Sequence, residues 1–138
     1  MQTKPSQRKT VLLVEDSKLQ RLTSERTLSK EGYAVLTAAT GEVALQLARE
    51  RVPDLILLDM LLPDMGGECV LRKLKGDPAT MRIPVLVLSG LSEANSTKLR
   101  QEGAADYFQK GRMFDDAQGQ EAFLDMIREV LRESQVKN

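Results

Sequence analysis

The sequence predicts an α/β fold, with one parallel sheet and helices on both faces. Three observations lead there. Five short apolar runs recur along the chain, and three of them, Val11–Val14, Leu55–Leu58 and Val85–Leu88, contain no polar residue. A strand buried on both faces of a parallel sheet reads this way, whereas a half-exposed antiparallel strand alternates. Between the runs lie segments with apolar residues at helical spacing, so strand and helix alternate five times, as in βα units. The runs also end next to acids, a serine or a lysine, and open α/β sheets place ligand chemistry at the carboxyl ends of their strands.

The elements follow in order. Residues 1–9 are polar and read as a disordered lead. Thr10–Val14 is the first strand, and Glu15-Asp16 follow it. Ser17 is placed to cap a helix over Lys18–Lys30. The apolar pattern of that helix is imperfect, since Leu19, Leu22 and Leu28 share it with Thr23 and Thr27. Gly32 ends it, because glycine accepts the left-handed cap conformation. Tyr33–Ala38 is the second strand. Gly41 opens a helix with Val43, Ala44, Leu47 and Ala48 at helical spacing, and Pro53 closes the unit.

Leu55–Asp59 is the third strand. Pro53 and Pro63 bracket it, and a proline inside a helix removes a donor and clashes with the preceding turn. A loop through Leu61–Gly67 leads to a third helix carrying Val70, Leu71 and Leu74, with Cys69 expected as a small buried hydrophobe. Gly76-Asp77-Pro78 breaks the chain. Ile83–Leu88 is the fourth strand, with Pro84 tolerated at its start, and Ser89-Gly90 follow. Ser92 is placed to cap a fourth helix reaching about Glu102, whose thin apolar face of Ala94 and Leu99 marks a marginal element. Ala104–Gln109 is a short fifth strand, followed by Lys110-Gly111. Residues 112–119 read as a polar loop. The last helix runs from Gln120 to Glu133 with Phe123, Leu124, Ile127, Val130 and Leu131 facing the core. One domain is thus expected over 10–133, with 134–138 as a tail.

Bulk composition narrows the chemistry. The 138 residues include 20 acidic and 20 basic side chains, and zero net charge argues for neither a nucleic-acid surface nor a membrane surface. No apolar run approaches the roughly 20 residues that span a bilayer, and the N-terminal residues lack the apolar core of a signal peptide, so a cytoplasmic location is expected. Histidine is absent and Cys69 is the only cysteine. That excludes Ser-His-Asp catalysis, histidine metal ligands, an intrachain disulfide and a cysteine metal cluster. Carboxylates, hydroxyls, lysine and a borrowed cation remain.

Glu15, Asp16, Asp59, Ser89 and Lys110 all fall at strand ends, which a parallel sheet brings to one edge. Crowded carboxylates repel, and a divalent cation relieves that. Oxygen-only ligands point to Mg²⁺. A cation, a lysine and a hydroxyl around one carboxylate suit in-line attack on a phosphoryl group, with the carboxylate as nucleophile. The alternatives are a helix cap at Asp59 and a structural ion-pair cluster around Lys110. The recurrence at several strand ends favours the site.

The motifs VLLVEDS (Val11–Ser17), DLILLDMLLPDMGG (Asp54–Gly67), VLVLSG (Val85–Gly90) and GAADYFQK (Gly103–Lys110) resemble receiver domains of two-component response regulators, over about residues 9–132. The resemblance implies a doubly wound, five-stranded, flavodoxin-like sheet of order 2-1-3-4-5. It implies Asp59 as phosphoacceptor, and Mg²⁺ bound by Asp16, Asp59 and the Leu61 carbonyl, with Glu15 acting on the metal through water. It further implies Lys110 paired with the phosphoryl group and Asp59, Ser89 bonded to a phosphoryl oxygen, and Tyr107 as an aromatic switch; a half-buried edge-strand ring is the alternative for Tyr107. The implied partners are a histidine kinase or histidine phosphotransfer protein and a downstream protein target. Output would use the face of the fourth helix, fifth strand and last helix, through which two copies could also pair, and no DNA-binding or enzymatic output segment fits in the remaining residues.

The chain departs from the family pattern at several points, one being Glu15, an acid where aspartate is more common. Gly111 stands where a proline usually follows the lysine, which leaves the geometry of the Lys110–Gly111 peptide open. The segment from Arg112 to Gly119 is longer than usual. Leu61 and Leu91, two residues past Asp59 and Ser89, flank the route of a hydrolytic water and are expected to slow loss of the phosphoryl group. Two competing readings are an aspartate-nucleophile hydrolase of the haloacid-dehalogenase type and an unphosphorylated interaction module. The first would need an acid where Leu61 stands.

Overall fold

The computed structural model describes residues 8–90 and 96–136. The apolar runs form five parallel strands: β1 (Thr10–Val14), β2 (Ala34–Ala38), β3 (Leu55–Asp59), β4 (Val85–Ser89) and β5 (Asp106–Gln109), in the order β2-β1-β3-β4-β5. Successive side chains of a strand point to opposite faces. Leu12, Val14, Ile56, Leu58, Val85, Val87 and Tyr107 therefore form one core, and Val11, Leu13, Leu55, Leu57, Leu86, Leu88 and Phe108 the other. The first core is closed by α2 (Gly41–Arg51), α3 (Gly67–Lys75) and α4 (Ser96–Gln101) through Ala44, Ala48, Val70, Leu71, Leu74 and Leu99. The second is closed by α1 (Lys18–Lys30) and α6 (Ala117–Val136) through Leu28, Phe123, Leu124, Ile127 and Val130.

The connections from β1 lead outward to β2 and then back past β1 to β3. They diverge between β1 and β3, and the crevice of a doubly wound sheet opens at that reversal. Val14 pairs with Leu58 there, so the residues just beyond β1 lie beside Asp59. Two caps fix the helices at this edge. Ser17 Oγ accepts from Gln20 N–H at 3.4 Å, and Thr40 Oγ1 accepts from Val43 N–H at 3.1 Å.

The largest departure from expectation is the segment 112–119, which is helical rather than a polar loop. Arg112–Asp115 forms one turn, α5, and α6 begins at Ala117 instead of Gln120. Met113 turns into the core beside Phe123, and the Asp116 side chain caps α6 by accepting from Gly119 N–H at 2.8 Å. Gly119 lies within α6 and makes room for the Arg112 carbonyl oxygen, with which a Cβ there would collide. Gly119→Ala should therefore lose about 1–3 kcal/mol despite alanine's better helix propensity, read as a lower urea midpoint at unchanged slope.

Smaller differences have local causes. β2, β4 and β5 each begin one or two residues later than expected, and α6 runs on to Val136, through the first residues of the expected tail. Leu19 and Leu22 are 76% and 48% exposed, so α1 holds the core mainly through Leu28. Cys69 is half-buried rather than buried. Ser92, Ala94 and Leu91, and residues 1–7 of the expected lead, lie outside the described residues.

Val52 ends α2 with φ 42° and ψ 68°. That left-handed conformation costs an L-residue roughly 1–2 kcal/mol, and a β-branched side chain is a poor occupant. It is 56% exposed, so its side chain contributes little packing in return. Val52→Asn should raise Tm by about 3 °C, corresponding to about 1 kcal/mol, in a thermal melt followed by circular dichroism.

Candidate functional site

The site is built from the chain just past β1, the end of β3 and the end of β5. Glu15 stays pinned to the sheet edge because its N–H donates to the Ala38 carbonyl at 2.9 Å. Its carboxylate is 2% exposed and accepts from Ser17 N–H at 3.0 Å. Asp16, the next residue, is exposed. Asp59 is the last residue of β3 and is 2% exposed, with Oδ1 accepting from Leu61 N–H at 3.1 Å.

Lys110 joins these groups. Its N–H donates to the Ser89 carbonyl at 2.8 Å, which extends the β4–β5 ladder by one bond. Its Nζ lies 2.8 Å from both Glu15 Oε1 and Asp59 Oδ2. The Lys110–Gly111 peptide is trans, and Gly111 has helical dihedrals that lead straight into α5. Glycine in place of proline thus leaves the ammonium in reach of both acids.

Burial drives the Glu15 carboxyl above its ordinary pKa, and neither Lys110 nor the Ser17 amide fully offsets that. Burial also opposes the Lys110 charge, but the hydrogen bonds to Asp59 and Glu15 prevail and hold its pKa above the ordinary value. One ammonium thus pairs with two carboxylates, while the nearby Asp16 adds a third negative charge.

Glu15, Asp16 and Asp59 each offer a carboxylate oxygen, and these oxygens lie within 4.8 Å of one another. The donor set is oxygen only, and it carries more negative than positive charge. Both properties fit a small hard divalent cation that keeps part of its water shell. Mg²⁺ is such a cation, and the three acids could hold it.

The other residues singled out from the sequence occupy the same edge or approach it. Ser89 ends β4 and is 1% exposed. Tyr107 lies in β5 opposite Val87 and is 8% exposed, so its ring belongs to the core rather than half to solvent. Leu61 is 80% exposed in the loop after β3. Two contributors were missed. Asp64 accepts from Gly41 and Glu42 N–H at 2.8 and 2.9 Å, tying the β3–α3 loop to the start of α2, and these amides hold its carboxyl below the usual range. Arg21 Nη1 reaches back from α1 to the carbonyls of Glu15 at 2.8 Å and Asp16 at 3.3 Å. Hydrophobic periodicity signals neither contact.

Comparison with known proteins adds relationships of sequence and fold. The family model of the response regulator receiver domain matches residues 11–134. The polar-differentiation response regulator DivK of Brucella ovis is 35% identical over 103 residues, covering 74% of this chain and 84% of DivK. The response regulator PleD of Caulobacter vibrioides is 39% identical over 101 residues, covering 72% of this chain but only 22% of PleD. Among solved structures, a CheY-like response regulator receiver domain protein from Methanospirillum hungatei superimposes with a TM-score of 0.81 at 26% identity, covering 95% of this chain and 99% of that one.

Proposed function

The chain belongs to the response regulator receiver domain family, and from that premise we propose that it is a phosphorylated signalling domain with Asp59 as the acceptor. The observation that carries this reading is Lys110 Nζ at 2.8 Å from both Glu15 and Asp59, beside a third acid, Asp16. Asp59 attacks the phosphorus of a phosphohistidine on a kinase or phosphotransfer protein. The new O–P bond forms as the N–P bond breaks, and the donor imidazole leaves with the bonding pair. Lys110 and the Ser89 hydroxyl stabilise the charge on the transferred oxygens. Asp16, Asp59 and the Leu61 carbonyl would hold Mg²⁺, with Glu15 acting through water, and the cation would neutralise charge that the one lysine cannot.

The phosphoryl group adds about −1.5 to −2 charge. That charge favours the arrangement in which Ser89 closes on it and Tyr107, already inward in this structure, is held inward. The shift is read on the face of α4, β5 and α6 by a protein target or a second copy of the chain. The exchange takes place in the cytoplasm and involves neither nucleic acid nor membrane directly.

Incubation with Mg²⁺ and acetyl phosphate, followed by intact mass, tests the proposal. Gain of one labile phosphoryl group supports it. Continuous hydrolysis of acetyl phosphate without an adduct would make the chain a hydrolase, and no reaction would make it a binding module. Leu61, exposed beside Asp59, should shield the acyl phosphate from water. Leu61→Asn is expected to speed spontaneous dephosphorylation severalfold, in the range of about 3–10, by placing an amide able to orient the attacking water. An unchanged half-life of the phosphorylated species would refute that role.

A further inference from the structure

The three acids of the site are not held alike. Glu15 accepts from Ser17 N–H and Lys110, and Asp59 accepts from Leu61 N–H and Lys110. Among the described residues, no hydrogen bond or ion pair orients the Asp16 carboxylate, which is exposed. Among the described residues, the placement of that carboxylate therefore depends on where its own backbone is held and on its side-chain rotamer.

Arg21 is the group that holds this backbone. Its Nη1 donates to the carbonyl oxygens of Glu15 at 2.8 Å and Asp16 at 3.3 Å. Arg21 forms no ion pair among the described residues, so its charge is directed at main-chain oxygens instead of a surface acid. Hydrogen bonds from an ionised donor are roughly twice as strong as neutral ones, and a planar guanidinium loses little freedom on making them. The base of the side chain is fixed as well. Arg21 N–H donates to the Ser17 carbonyl at 2.8 Å, in the turn that the Ser17 side chain caps. The loop carrying Asp16 is thus clamped between the sheet edge, through Glu15 N–H and Ala38, and the first turn of α1.

We propose that Arg21 is a positioning residue for the cation site: by pinning the Glu15 and Asp16 carbonyls, it aims the Asp16 carboxylate at the position shared with Glu15 and Asp59. The proposal rests on the Mg²⁺ reading above and adds to it a residue that touches neither metal nor phosphoryl group. Outer partners that orient metal ligands typically account for 10- to 100-fold in affinity.

The test is calorimetric titration of the full chain with Mg²⁺, comparing wild type, Arg21→Met and Arg21→Lys, with Asp16→Asn as the control that loses the ligand itself. Methionine keeps the apolar stem and removes the donors. Arg21→Met is expected to raise the Mg²⁺ Kd by about 10-fold or more, alongside a Tm loss without metal of about 3–6 °C from the lost carbonyl hydrogen bonds. Arg21→Lys, with one ammonium for two carbonyls, should fall between. The Mg²⁺ concentration giving half the maximal rate with acetyl phosphate should rise in parallel, and the rate at saturating Mg²⁺ should return to the wild-type value. A merely structural role would instead lower Tm and the saturated rate while leaving the Mg²⁺ Kd unchanged. An unchanged Kd in Arg21→Met overturns the role of Arg21 and leaves the function standing, whereas a wild-type chain that binds no Mg²⁺ overturns both. Arg21→Gln, able to donate to one carbonyl only, takes the place of the methionine variant if that variant does not fold.

Discussion

Asp59→Asn should take up no labile phosphoryl group under conditions that load the wild-type chain fully, a fall in rate of at least about 10³-fold. The amide lacks the anionic oxygen that would attack phosphorus under the proposed function. Neither neighbouring acid is a ready substitute. Glu15 is buried and already engaged by Ser17 N–H and Lys110, and Asp16 sits in a different loop, off the end of β3. The variant should remain folded. The asparagine oxygen can still accept from Leu61 N–H, and Lys110 keeps Glu15. Loss of one negative charge also eases the cluster. The Glu15 carboxyl, held high by burial first and by the Asp59 charge as a lesser cause, should titrate lower. Without Mg²⁺ the variant should melt at or above the wild-type temperature. Intact mass and a thermal melt on one preparation read both outcomes, and a labile adduct persisting in the variant would end the assignment of Asp59.

How much of this could be read from the sequence depended on how each residue signals its role. β1, β3 and β4 are legible because strands buried on both faces need apolar side chains at every position. Their acids were legible too, because a parallel sheet makes all strand ends converge, so position along the chain translates into position in space. The segment after Lys110 was not. Four residues of α5 are too few to show a helical period, and Met113 and Phe114 are surrounded by charges that suggest solvent. Asp116 and Gly119 read as loop residues, although one caps α6 and the other makes room for the Arg112 carbonyl. Arg21 escaped for another reason. Its partners are backbone carbonyls, which every residue carries, so nothing in the sequence distinguishes it from a solvated arginine on an amphipathic helix. Val52 likewise gave no warning of its left-handed conformation.

Lys110→Met isolates the electrostatic dependence at the centre of the site. The Lys110 side chain is 20% exposed and its two partners are 3% exposed, so removal of the ammonium leaves two nearly buried carboxylates facing each other. Breaking a buried pair from one side typically costs 3–5 kcal/mol, and the residual solvent contact of Lys110 argues for the lower end. A loss of about 3 kcal/mol near neutral pH, or about 10 °C in Tm, is expected without Mg²⁺. The deficit should depend on pH from both sides. Glu15 already titrates above 4.5 in the folded chain, so the stability from its neutral form is present below 4.5 and is lost as pH rises through the folded value. Without Lys110 that folded value climbs further, and acidification protonates Glu15 sooner in the variant than in the wild type. The difference between the two proteins should therefore be smaller at about pH 5 than at about pH 7.5. At the alkaline end, the raised pKa of Lys110 gives the wild type stability that is full below 10.5 and lost as pH rises through the folded value, so the curves should approach each other there as well. Urea midpoints measured across this range should show the widest gap between these limits. A gap independent of pH would mean that Lys110 acts through packing alone, and that charge balance does not hold the acidic cluster together.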